Sequence, residues 1–368
     1  MPSFDIVKES HPKHSFRIDS VIGTYDLQQS HIVERFQGEI TPPKDWDIGL
    51  IVGRSGSGKT TIARELFGAQ IIDGFEYTHE SLLDDMPKGA SVNDICMALT
   101  AVGFSSPPSW LKSYHVLSNG EKMRCDIARA MLQDNEMFVF DEFTSVVDRN
   151  VAQIASYAIQ KAIRRKNKKF IAVTCHYDVQ DWLMPDWVFN TDDMTFRVLS
   201  HEEQKKNRPA INLNIYETKE KECYWRIFRK HHYLAHSLNK ASRVFIAEYN
   251  NNVCAFWAVL SFPHPKKKNT FKGHRMVVLP DFQGVGIGGI FSDYIAEMYR
   301  KNGKTLIRTT SNPAMIKSLI NSKKWITTRH GRASKGGETG VVQNSHKKNS
   351  TSNARITVSF EYVGNSSD

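Results

Sequence analysis

The 368-residue sequence has few cysteines and no long apolar run. Its five cysteines, Cys96, Cys125, Cys175, Cys223 and Cys254, are odd in number, far apart and never spaced as CxxC. This pattern argues against a disulfide framework or a zinc ribbon and favours a reducing cytoplasm. No stretch approaches the roughly 18 consecutive apolar residues of a membrane span, and the opening residues MPSFDIVKESHPKHSF contain no apolar core of a secretion signal. We therefore expect a cytoplasmic protein that has no contact with a membrane.

Length and composition predict two domains. The chain is 40% hydrophobic and 24% charged, which is ordinary for globular proteins, and domains average roughly 150 residues. In the first half, short apolar runs (IGLIVG, FVFDE, FIAVTC) alternate with longer helical patterns, as in a sheet with α/β crossovers. A polar stretch at residues 200–212 is the candidate linker. We expect domains over residues 1–205 and 206–368, with a hairpin turning at Asn250–Asn252 and a basic loop at 329–353 in the second.

The charge differs sharply between the two halves. Residues 1–200 hold 21 Lys and Arg against 27 Asp and Glu, a formal charge of −6, whereas residues 201–368 hold 28 against 12, a formal charge of +16. Such asymmetry favours a polyanionic partner for the second half, and nucleic acid is the expected one. Solubility alone remains the alternative. The basic stretch at 161–169 fits a solvated helix face better than a binding site.

A glycine-rich loop follows the first apolar run. Gly53–Thr60 reads GRSGSGKT and fits GxxxxGK[ST] between an apolar run and a helical pattern, the setting in which backbone N–H groups surround a nucleotide's phosphates. Lys59 would contact the β- and γ-phosphates, and Thr60 would offer its hydroxyl to Mg²⁺. The expected nucleotide-binding residues are Gly53, Ser55, Gly56, Gly58, Lys59, Thr60 and Thr61.

Further polar motifs follow in a fixed order. LSNGE at 117–121 precedes a helical pattern, and the apolar strand at 137–140 ends in Asp141 and Glu142. Two carboxylates at the end of a buried strand need a function, because burial of charge is costly. Asp141 would hold Mg²⁺ through water, and Glu142 would act as general base towards the attacking water. Asp148 and His176 follow at later turns.

Together, over roughly residues 15–200, these motifs resemble an ABC-type ATPase. The resemblance implies that the signature residues Ser118 and Gly120 contact the γ-phosphate held by the loop of a second copy, so that ATP is sandwiched in a homodimer. It implies that His176 contacts the γ-phosphate and that Asp148 links the two sites. The chain departs from transporter ATPases in having only 58 positions between Lys59 and Leu117 and no convincing glutamine loop.

A second glycine-rich turn lies in the basic half. VVLPDFQGVGIG, at 277–288, runs from an apolar strand into a helical pattern, so its amides could bind a pyrophosphate. With the hairpin before it and TLIRTTSNPAMIKSLINSKKW after it, the segment at 210–362 resembles the GNAT acyltransferase fold, although a nucleotide fold is an alternative for the turn alone. The resemblance implies that acetyl-CoA or another acyl-CoA binds at Gln283, Gly284, Gly286 and Gly288. Asn312 would lie along the pantetheine arm, beside a splayed strand.

Candidates for proton transfer cluster at 231–236. The pair His232 and Tyr233 resembles the corresponding pair of the phage Mom DNA-modification proteins, which implies a catalytic role for both; a histidine titrates near neutrality and suits base catalysis. The alternative is a helix-end cluster packed against the sheet. Glu248 and His264 are further base candidates, and the tyrosine acid common in GNAT enzymes is missing after Asn312.

The combined interpretation is an α/β chain in which an ABC-type P-loop ATPase precedes a GNAT-like α+β domain, resembling ABC-type ATPases fused to predicted acetyltransferases. We expect it to use ATP, Mg²⁺ and acyl-CoA to modify a nucleic-acid base, which must be unstacked to react. Two alternatives remain open. One is a nucleic-acid-binding ABC ATPase of the repair or chromosome type whose GNAT fold only binds. The other is an ATP-gated acetyltransferase of proteins or small molecules.

Overall fold

The computed structural model describes residues 3–10, 15–27, 32–206, 210–232, 237–263, 268–332 and 356–365. The strands described there are β1 (Ser3–Ser10), β2 (Ile32–Glu39), β3 (Ile48–Val52), β4 (Ile71–Ile72), β5 (Met137–Phe140), β6 (Lys169–Thr174), β7 (Trp187–Asn190), β8 (Thr195–Val198), β9 (Asn214–Thr218), β10 (Arg243–Tyr249), β11 (Asn252–Ser261), β12 (Thr270–Val278), β13 (Thr305–Thr310), β14 (Trp325–Arg332) and β15 (Ile356–Tyr362). The helices are α1 (Phe16–Tyr25), α2 (Lys59–Phe67), α3 (Val92–Ala101), α4 (Pro107–Trp110), α5 (Asn119–Leu132), α6 (Arg149–Lys166), α7 (Val179–Leu183), α8 (His201–Lys206), α9 (Lys221–Phe228), α10 (Ile287–Lys301) and α11 (Pro313–Ile320).

The chain forms two compact units that are not consecutive in sequence. Unit 1 comprises residues 1–75, 133–148 and 160–208, and unit 2 comprises residues 76–132, 149–159 and 209–368. The last division lies close to the predicted boundary at 205/206. The helical segment 76–132, which carries LSNGE, nevertheless belongs with the C-terminal residues. The linear division into 1–205 and 206–368 therefore separates segments that pack together in unit 2.

Unit 1 is built on a six-stranded sheet in the order β4-β5-β6-β3-β7-β8. Its first five strands are mutually parallel, and β8 is antiparallel to β7. All five residues of β3 are buried, as expected for a strand covered on both faces. A separate antiparallel pair of strands, β1 and β2, packs Phe4 and Phe36 into the same apolar cluster as Ile51 and Ile62. The predicted α/β sheet is confirmed.

Unit 2 contains a seven-stranded sheet in the order β14-β15-β13-β12-β11-β10-β9. The predicted hairpin is present, because β10 and β11 pair antiparallel and Asn250 and Asn251 occupy positive φ values of 49° and 60°. Such angles are typical of tight hairpin turns and are tolerated by asparagine. Helix α9 packs on one face of the sheet through Trp225 and Phe228. Helix α10 contacts the other face, where Phe291 lies edge-on to Trp257.

Two parallel strands of this sheet separate along their length. Strands β12 and β13 pair only through Thr270–Lys272 and Thr305–Ile307. Beyond this point β12 continues against β11 as far as Val278, while β13 continues against β15 as far as Thr310. The strands thus open a wedge that ends at the turn before α10. The splay implied by the GNAT resemblance is therefore present.

Two predicted regions lie partly outside the described residues. Of the basic loop 329–353, only residues 329–332 are described, as the end of β14. The linker at 200–212 contains α8, and its residues 207–209 are outside. Within the described ranges, no helix combines the length and the apolar character needed to cross a bilayer.

Candidate functional site

The phosphate-loop candidate lies between β3 and α2 in unit 1. Gly58 precedes α2 with φ of +85°, in the left-handed region that favours glycine, and a Cβ there would lie 2.5 Å from Phe36 Cε1. A Cβ on Gly53 would lie 2.1 Å from Thr191 Oγ1. Packing therefore requires both glycines even before a ligand is considered. Gly56, with φ of +81°, has open space around it, and Ser55 is exposed.

Lys59 lies across this loop. Its side chain is only 7% exposed, and Nζ donates to the carbonyl oxygen of Arg54 at 2.6 Å. Ser57 Oγ donates to the same carbonyl at 2.8 Å. The ammonium group is thus held inside the loop's curve, where it can meet phosphate oxygens. Thr60 and Thr61 follow in the first turn of α2, both half-buried, and the hydroxyl chemistry of Thr60 fits a Mg²⁺ ligand.

Two residues that support the phosphate-loop candidate were not predicted from the sequence. Thr191, directly after β7, is 2% exposed, and its Oγ1 lies 2.5 Å from Ser57 Oγ and 3.3 Å from Val52 O. Asp192 accepts from the backbone N of Arg54 at 3.0 Å and from the Tyr177 hydroxyl. The Tyr177 hydrogen bond is the main cause that lowers the pKa of Asp192. In the sequence, these two residues could have been suspected only from their place directly after an apolar strand.

The two carboxylates stand at the end of β5. Asp141 Oδ1 accepts from the Glu142 N at 2.9 Å, and Glu142 Oε2 accepts from Ser145 Oγ at 2.5 Å. Glu142 has a φ of +54°, a left-handed conformation that costs a non-glycine residue about 1–2 kcal/mol. The buried Phe143 anchors this turn through its N–H to Val173 O at 2.8 Å. A strained backbone conformation that the surrounding contacts keep in place is typical of functional positions.

The strand order brings the predicted site residues to one edge of the sheet. Strand β6 pairs with β3 on one side and β5 on the other, so the carboxyl ends of the three parallel strands are neighbours. The loop at Gly53 follows β3, Glu142 follows β5, and His176 follows β6. The His176 N donates to Thr174 Oγ1 at 3.2 Å. Asp148 immediately precedes α6 and is exposed.

The signature segment is the beginning of α5, in unit 2. Leu117 and Gly120 are buried, whereas Ser118 is exposed. The Ser118 N donates to Glu121 Oε2 at 3.0 Å, and the Glu121 N donates to Ser118 Oγ at 3.3 Å. This reciprocal capping box explains the serine and the glutamate by helix capping alone. It also presents a capped helix N-terminus, which carries positive partial charge, at the surface.

Two residues of the second glycine turn, Gln283 and Gly284, are in contact with other residues of unit 2. Gln283 Oε1 accepts from the Ser105 N at 2.6 Å, and its Nε2 donates to Val278 O at 2.7 Å. A Cβ on Gly284, where φ is +88°, would lie 2.7 Å from both Ala158 Cβ and Gly103 Cα. The Gln283 side chain, expected to bind a cofactor, is thus used to fix the turn, and Gly284 is required by close packing. Binding of cofactor by these two residues stays a prediction.

The later part of the turn has a different environment. Gly286 precedes α10 with φ of +95° and has nothing within 4 Å of an added Cβ, so its Cα faces open space. A Cβ on Gly288 would lie 3.4 Å from Val278 Cγ2, at the end of β12. The first amides of a helix have no partners within it, and those of α10 belong to a turn next to the end of β12. These residues fit a pyrophosphate better than Gln283 does.

The side chain of Arg308 connects β13 to the two strands that precede it in the sheet. Arg308, on β13, is 6% exposed, lies over the Trp257 ring at 5.6 Å and donates to Met276 Sδ at 2.9 Å. His274, on β12, is half-buried, and burial together with the nearby Arg275 and Lys272 lowers its pKa to about 4. Asn312 follows β13, and its Oδ1 accepts from the Met315 N at 3.0 Å to cap α11. The Asn312 side chain therefore has a local structural role.

Of the predicted histidine cluster, His232 packs against the apolar residues on the α9 face of the sheet. His232 is 6% exposed, and its ring lies 5.9 Å from that of Trp225, a member of the apolar cluster on the α9 face. This position agrees with the packing alternative left open by the sequence. Tyr233 and His264 lie outside the described residues. A catalytic role for His232 and Tyr233 stays a prediction.

Glu248 lies in a more suitable environment for a base. It sits at a bulge of β10 and is half-buried. The Tyr216 hydroxyl donates to Glu248 Oε1 at 2.7 Å and lies 3.0 Å from the Tyr224 hydroxyl, while Asn214 Nδ2 donates to Oε2 at 3.2 Å. Burial raises the pKa of Tyr216, so its proton is retained and stabilises the carboxylate. The three hydroxyl and carboxyl groups form a continuous hydrogen-bonded chain.

Comparisons with known proteins find relatives of two kinds. Residues 178–318 match the model of the acetyltransferase (GNAT) family. The energy-coupling factor transporter ATP-binding protein EcfA1 of Mycoplasmopsis synoviae is 27% identical over 38% of this chain and 65% of its own length. The zinc import ATP-binding protein ZnuC of Marinobacter nauticus is 29% identical over 32% of this chain and 53% of its own length. The chain thus spans less than two thirds of either relative.

Solved structures with similar parts fall into the same two groups. A dimeric bacterial ABC transporter cassette is 14% identical, with a TM-score of 0.35, over 45% of this chain and 89% of its own. The IAA acetyltransferase of Bacillus cereus is 14% identical, with a TM-score of 0.31, over 41% of this chain and 99% of its own. The family match and the curated relatives confirm the predicted order, in which an ABC ATPase-like half precedes a GNAT acetyltransferase domain.

Proposed function

We propose that this chain hydrolyses ATP as an ABC-type ATPase and uses acyl-CoA in its GNAT domain to modify a nucleic-acid base. The observation that carries the proposal is the wedge between β12 and β13, which ends at the open turn of Gly286. The same chain carries a phosphate loop, two carboxylates and a histidine at one edge of another sheet. On this proposal, one chain would contain both the nucleotide site and the acyl-CoA site that an ATP-dependent transferase needs.

In the ATPase half, Lys59 and the loop amides would bind the phosphates, and Thr60 and Asp141 would hold Mg²⁺. The bound ion neutralises phosphate charge and orients the triphosphate. Glu142 would accept a proton from the attacking water, and its hydrogen bond from Ser145 holds the carboxylate in place. His176, at the strand end between them, would contact the γ-phosphate.

We propose that a second copy completes this site. The exposed Ser118 and the following amides of α5 would meet the γ-phosphate bound by the partner's loop, because a capped helix N-terminus favours an anion. Gly120 is buried in the first turn of α5. Asp148 would lie near the same interface. ATP would therefore favour a homodimer, and hydrolysis would release it.

In the transferase half, the amides at Gly286–Gly288 would bind the pyrophosphate of acyl-CoA. The backbone of β12 beyond Lys272 is turned away from β13, so its polar groups can pair with the pantetheine arm in the wedge. Asn312 ends the opposite side of this wedge. When bound, acyl-CoA would supply a thioester; attack by the acceptor amine would form the amide and break the C–S bond, with CoA leaving as the thiol. Glu248, supported by Tyr216, is a candidate for removing the amine proton.

We propose a nucleic acid as the acceptor because of the positive charge of the second half. Residues 201–368 carry a formal charge of +16, and phosphate contacts from Lys and Arg provide most non-specific affinity for nucleic acids. Arg329 and Arg332 end β14 where the basic loop begins. Lys324, by contrast, already pairs with Asp293 at 3.4 Å. Opening a duplex to expose a base costs a few kcal/mol, which gives ATP binding and hydrolysis a purpose.

The test is transfer of radiolabelled acetyl-CoA to DNA, RNA and a protein mixture, with and without Mg²⁺-ATP. We expect label in nucleic acid that requires ATP and decreases steeply as salt rises. The Glu142→Gln and Gly286→Leu variants should each lose transfer, whereas Gly289→Ala, an open position one turn along, should keep it. Label only in protein, insensitive to salt, would favour the protein acetyltransferase. ATP hydrolysis without CoA binding would favour a GNAT fold that only binds nucleic acid.

A further inference from the structure

Helix α5 connects the exposed signature to the turn that precedes α10. Ser118 and Glu121 cap the beginning of α5, and Arg124 lies one turn further along the same helix. The Arg124 side chain is fully buried, and its Nη1 donates to Pro280 O at 3.2 Å and lies 3.8 Å from Asp281 Oδ1. Pro280 and Asp281 begin the short 3-10 turn Pro280–Phe282, which leads into Gln283. Helix α5 therefore carries the signature residues at its beginning and contacts the turn before α10 through Arg124.

Two more contacts tie the same turn to the helical segment 76–132. The Ser105 N donates to Gln283 Oε1, and Gln283 Nε2 in turn donates to Val278 O at the end of β12. A Cβ on Gly284 would lie 2.7 Å from Gly103 Cα, and a Cβ on Gly103 would lie 2.8 Å from Gln283 O, so neither glycine has room for a side chain. The turn is thus fixed from one side by backbone, side-chain and packing contacts. A displacement of α5 or of its neighbours must change the position of the turn, because packed interfaces have little slack.

The beginning of α5 has a backbone donor for which a carboxylate and a phosphate would compete. The Glu121 carboxylate now accepts from the Ser118 N, which is a donor that a phosphate would also use. Carboxylate and phosphate are both anions, so they compete for this helix N-terminus and repel each other. Glu121 also interacts electrostatically with Arg124, whose pKa is lowered mainly by burial, and with His231. Displacement of Glu121 would therefore change the charge surrounding the buried guanidinium.

We propose that Arg124 is a positioning residue that makes acyl-CoA binding depend on nucleotide. Resting on the function proposed above, the inference is that triphosphate at Ser118 displaces Glu121, fixes α5 and orders the turn at Gly286 for pyrophosphate. Ordering in advance lowers the entropic cost of the second ligand. Because linkage is reciprocal, acyl-CoA must favour the ATP-bound dimer by the same factor. Nucleotide then binds first, and acyl-CoA binds second.

The test compares CoA affinity in three nucleotide states of the full chain. Isothermal titration calorimetry with CoA is carried out without nucleotide, with Mg²⁺-ADP and with a non-hydrolysable ATP analogue. We expect at least about fivefold tighter binding with the analogue than with ADP, the lower end of typical coupling. Light scattering should show the reverse effect, with CoA lowering by the same factor the analogue concentration that forms dimer. An analogue that changes CoA affinity by less than twofold would overturn the inference.

Variants distinguish a positioning role of Arg124 from an effect on folding. Arg124→Met keeps a long side chain without leaving a buried charge, and it should still bind CoA but with one affinity in all three states; Arg124→Lys should restore part of the difference. Glu121→Gln retains a capping group at a half-buried position and should reduce the difference without affecting folding. Lys122→Gln, which changes the neighbouring charge on the Tyr114 side, is the matched control and should keep the full effect.

Failure of the inference can be told apart from failure of the proposed function. CoA binding that is tight but equal in every nucleotide state leaves the acyl-CoA site intact and refutes the role of Arg124. An absence of CoA binding in every state refutes the site itself, and the inference with it. If Arg124→Met does not fold, Glu121→Gln decides, and a full nucleotide effect in that variant contradicts the proposal.

Discussion

Arg124 donates a hydrogen bond to the carbonyl oxygen of Pro280, which lies 156 positions further along the chain. A guanidinium group without solvent exposure is costly to bury, so its position requires the surrounding contacts to remain in place. The bond joins the helix that begins at the signature to the turn that begins the proposed acyl-CoA site. It is one of several contacts between the helical segment 76–132 and the C-terminal residues of unit 2.

The Glu142→Gln variant should accumulate an ATP-bound dimer. The amide has the shape of the carboxylate and can still accept from Ser145, so the turn should fold normally, but it cannot take a proton from water. We expect multi-angle light scattering to give twice the monomer mass with Mg²⁺-ATP. The Lys59→Ala variant, which lacks the buried ammonium group, should remain monomeric. A Glu142→Gln protein that is monomeric with saturating ATP would contradict the sandwich.

The Thr191→Val variant should bind ATP more weakly. Its side chain keeps the shape that packs against Gly53 but loses the hydroxyl that meets Ser57 and Val52 O. A hydrogen bond of this kind contributes about 1 kcal/mol, so the dissociation constant of a fluorescent ATP analogue should rise roughly fivefold. Thr191→Ser, which retains the hydroxyl, should bind as the unchanged protein does. Equal affinities for the two variants would show that the loop does not need this support.

The Gly286→Leu variant should lose CoA binding in calorimetry. Gly286 faces open space, so a leucine would block the approach to the amides at the beginning of α10 and would also disfavour the φ of +95°. Gly289→Ala is the control, because that position is equally open and helical, and alanine favours helix. Unchanged CoA affinity in Gly286→Leu would remove the site assignment from this turn.

The Gly284→Ala variant should be less stable than Gly303→Ala. Both positions have positive φ, but an alanine Cβ at Gly303 meets nothing, whereas at Gly284 it meets Ala158 and Gly103 at 2.7 Å. Overpacking of this kind costs about 1–3 kcal/mol. Urea unfolding followed by tryptophan fluorescence should therefore give a lower midpoint for Gly284→Ala. If the two midpoints coincide, the turn can move away from the helical segment without cost.

Protonation of His274 should reduce stability as pH falls. Its pKa is lowered to about 4, first by burial and then by Arg275 and Lys272, whereas in the unfolded chain it is near 6.5. Between these values the unfolded state takes up a proton that the folded state does not, so the free energy of unfolding falls as pH drops from about 6.5 to 4. The His274→Asn variant should show a smaller decrease over this range in urea unfolding. Parallel pH profiles would indicate that His274 is solvated.

Local sequence patterns were sufficient for much of the fold. The buried strand β3 and the glycine loop after it, the carboxylates after β5 and the turn at Asn250–Asn251 each depend on residues that are close in sequence. Apolar periodicity and the φ preferences of glycine and asparagine act over a few residues. The order of the motifs then indicated which family each half resembles, and the matched family model and relatives agree.

Other features depended on where distant segments meet. The sequence alone determined an α/β chain with a phosphate loop in one half and a glycine turn in the other, because these features follow from neighbouring residues. Only the tertiary structure decided that Arg124 and Ser105 fix the turn at Gln283, that Thr191 supports the phosphate loop and that His232 lies against Trp225. Burial and pairing at such positions are set by packing between elements far apart in the chain, and no local pattern records that packing.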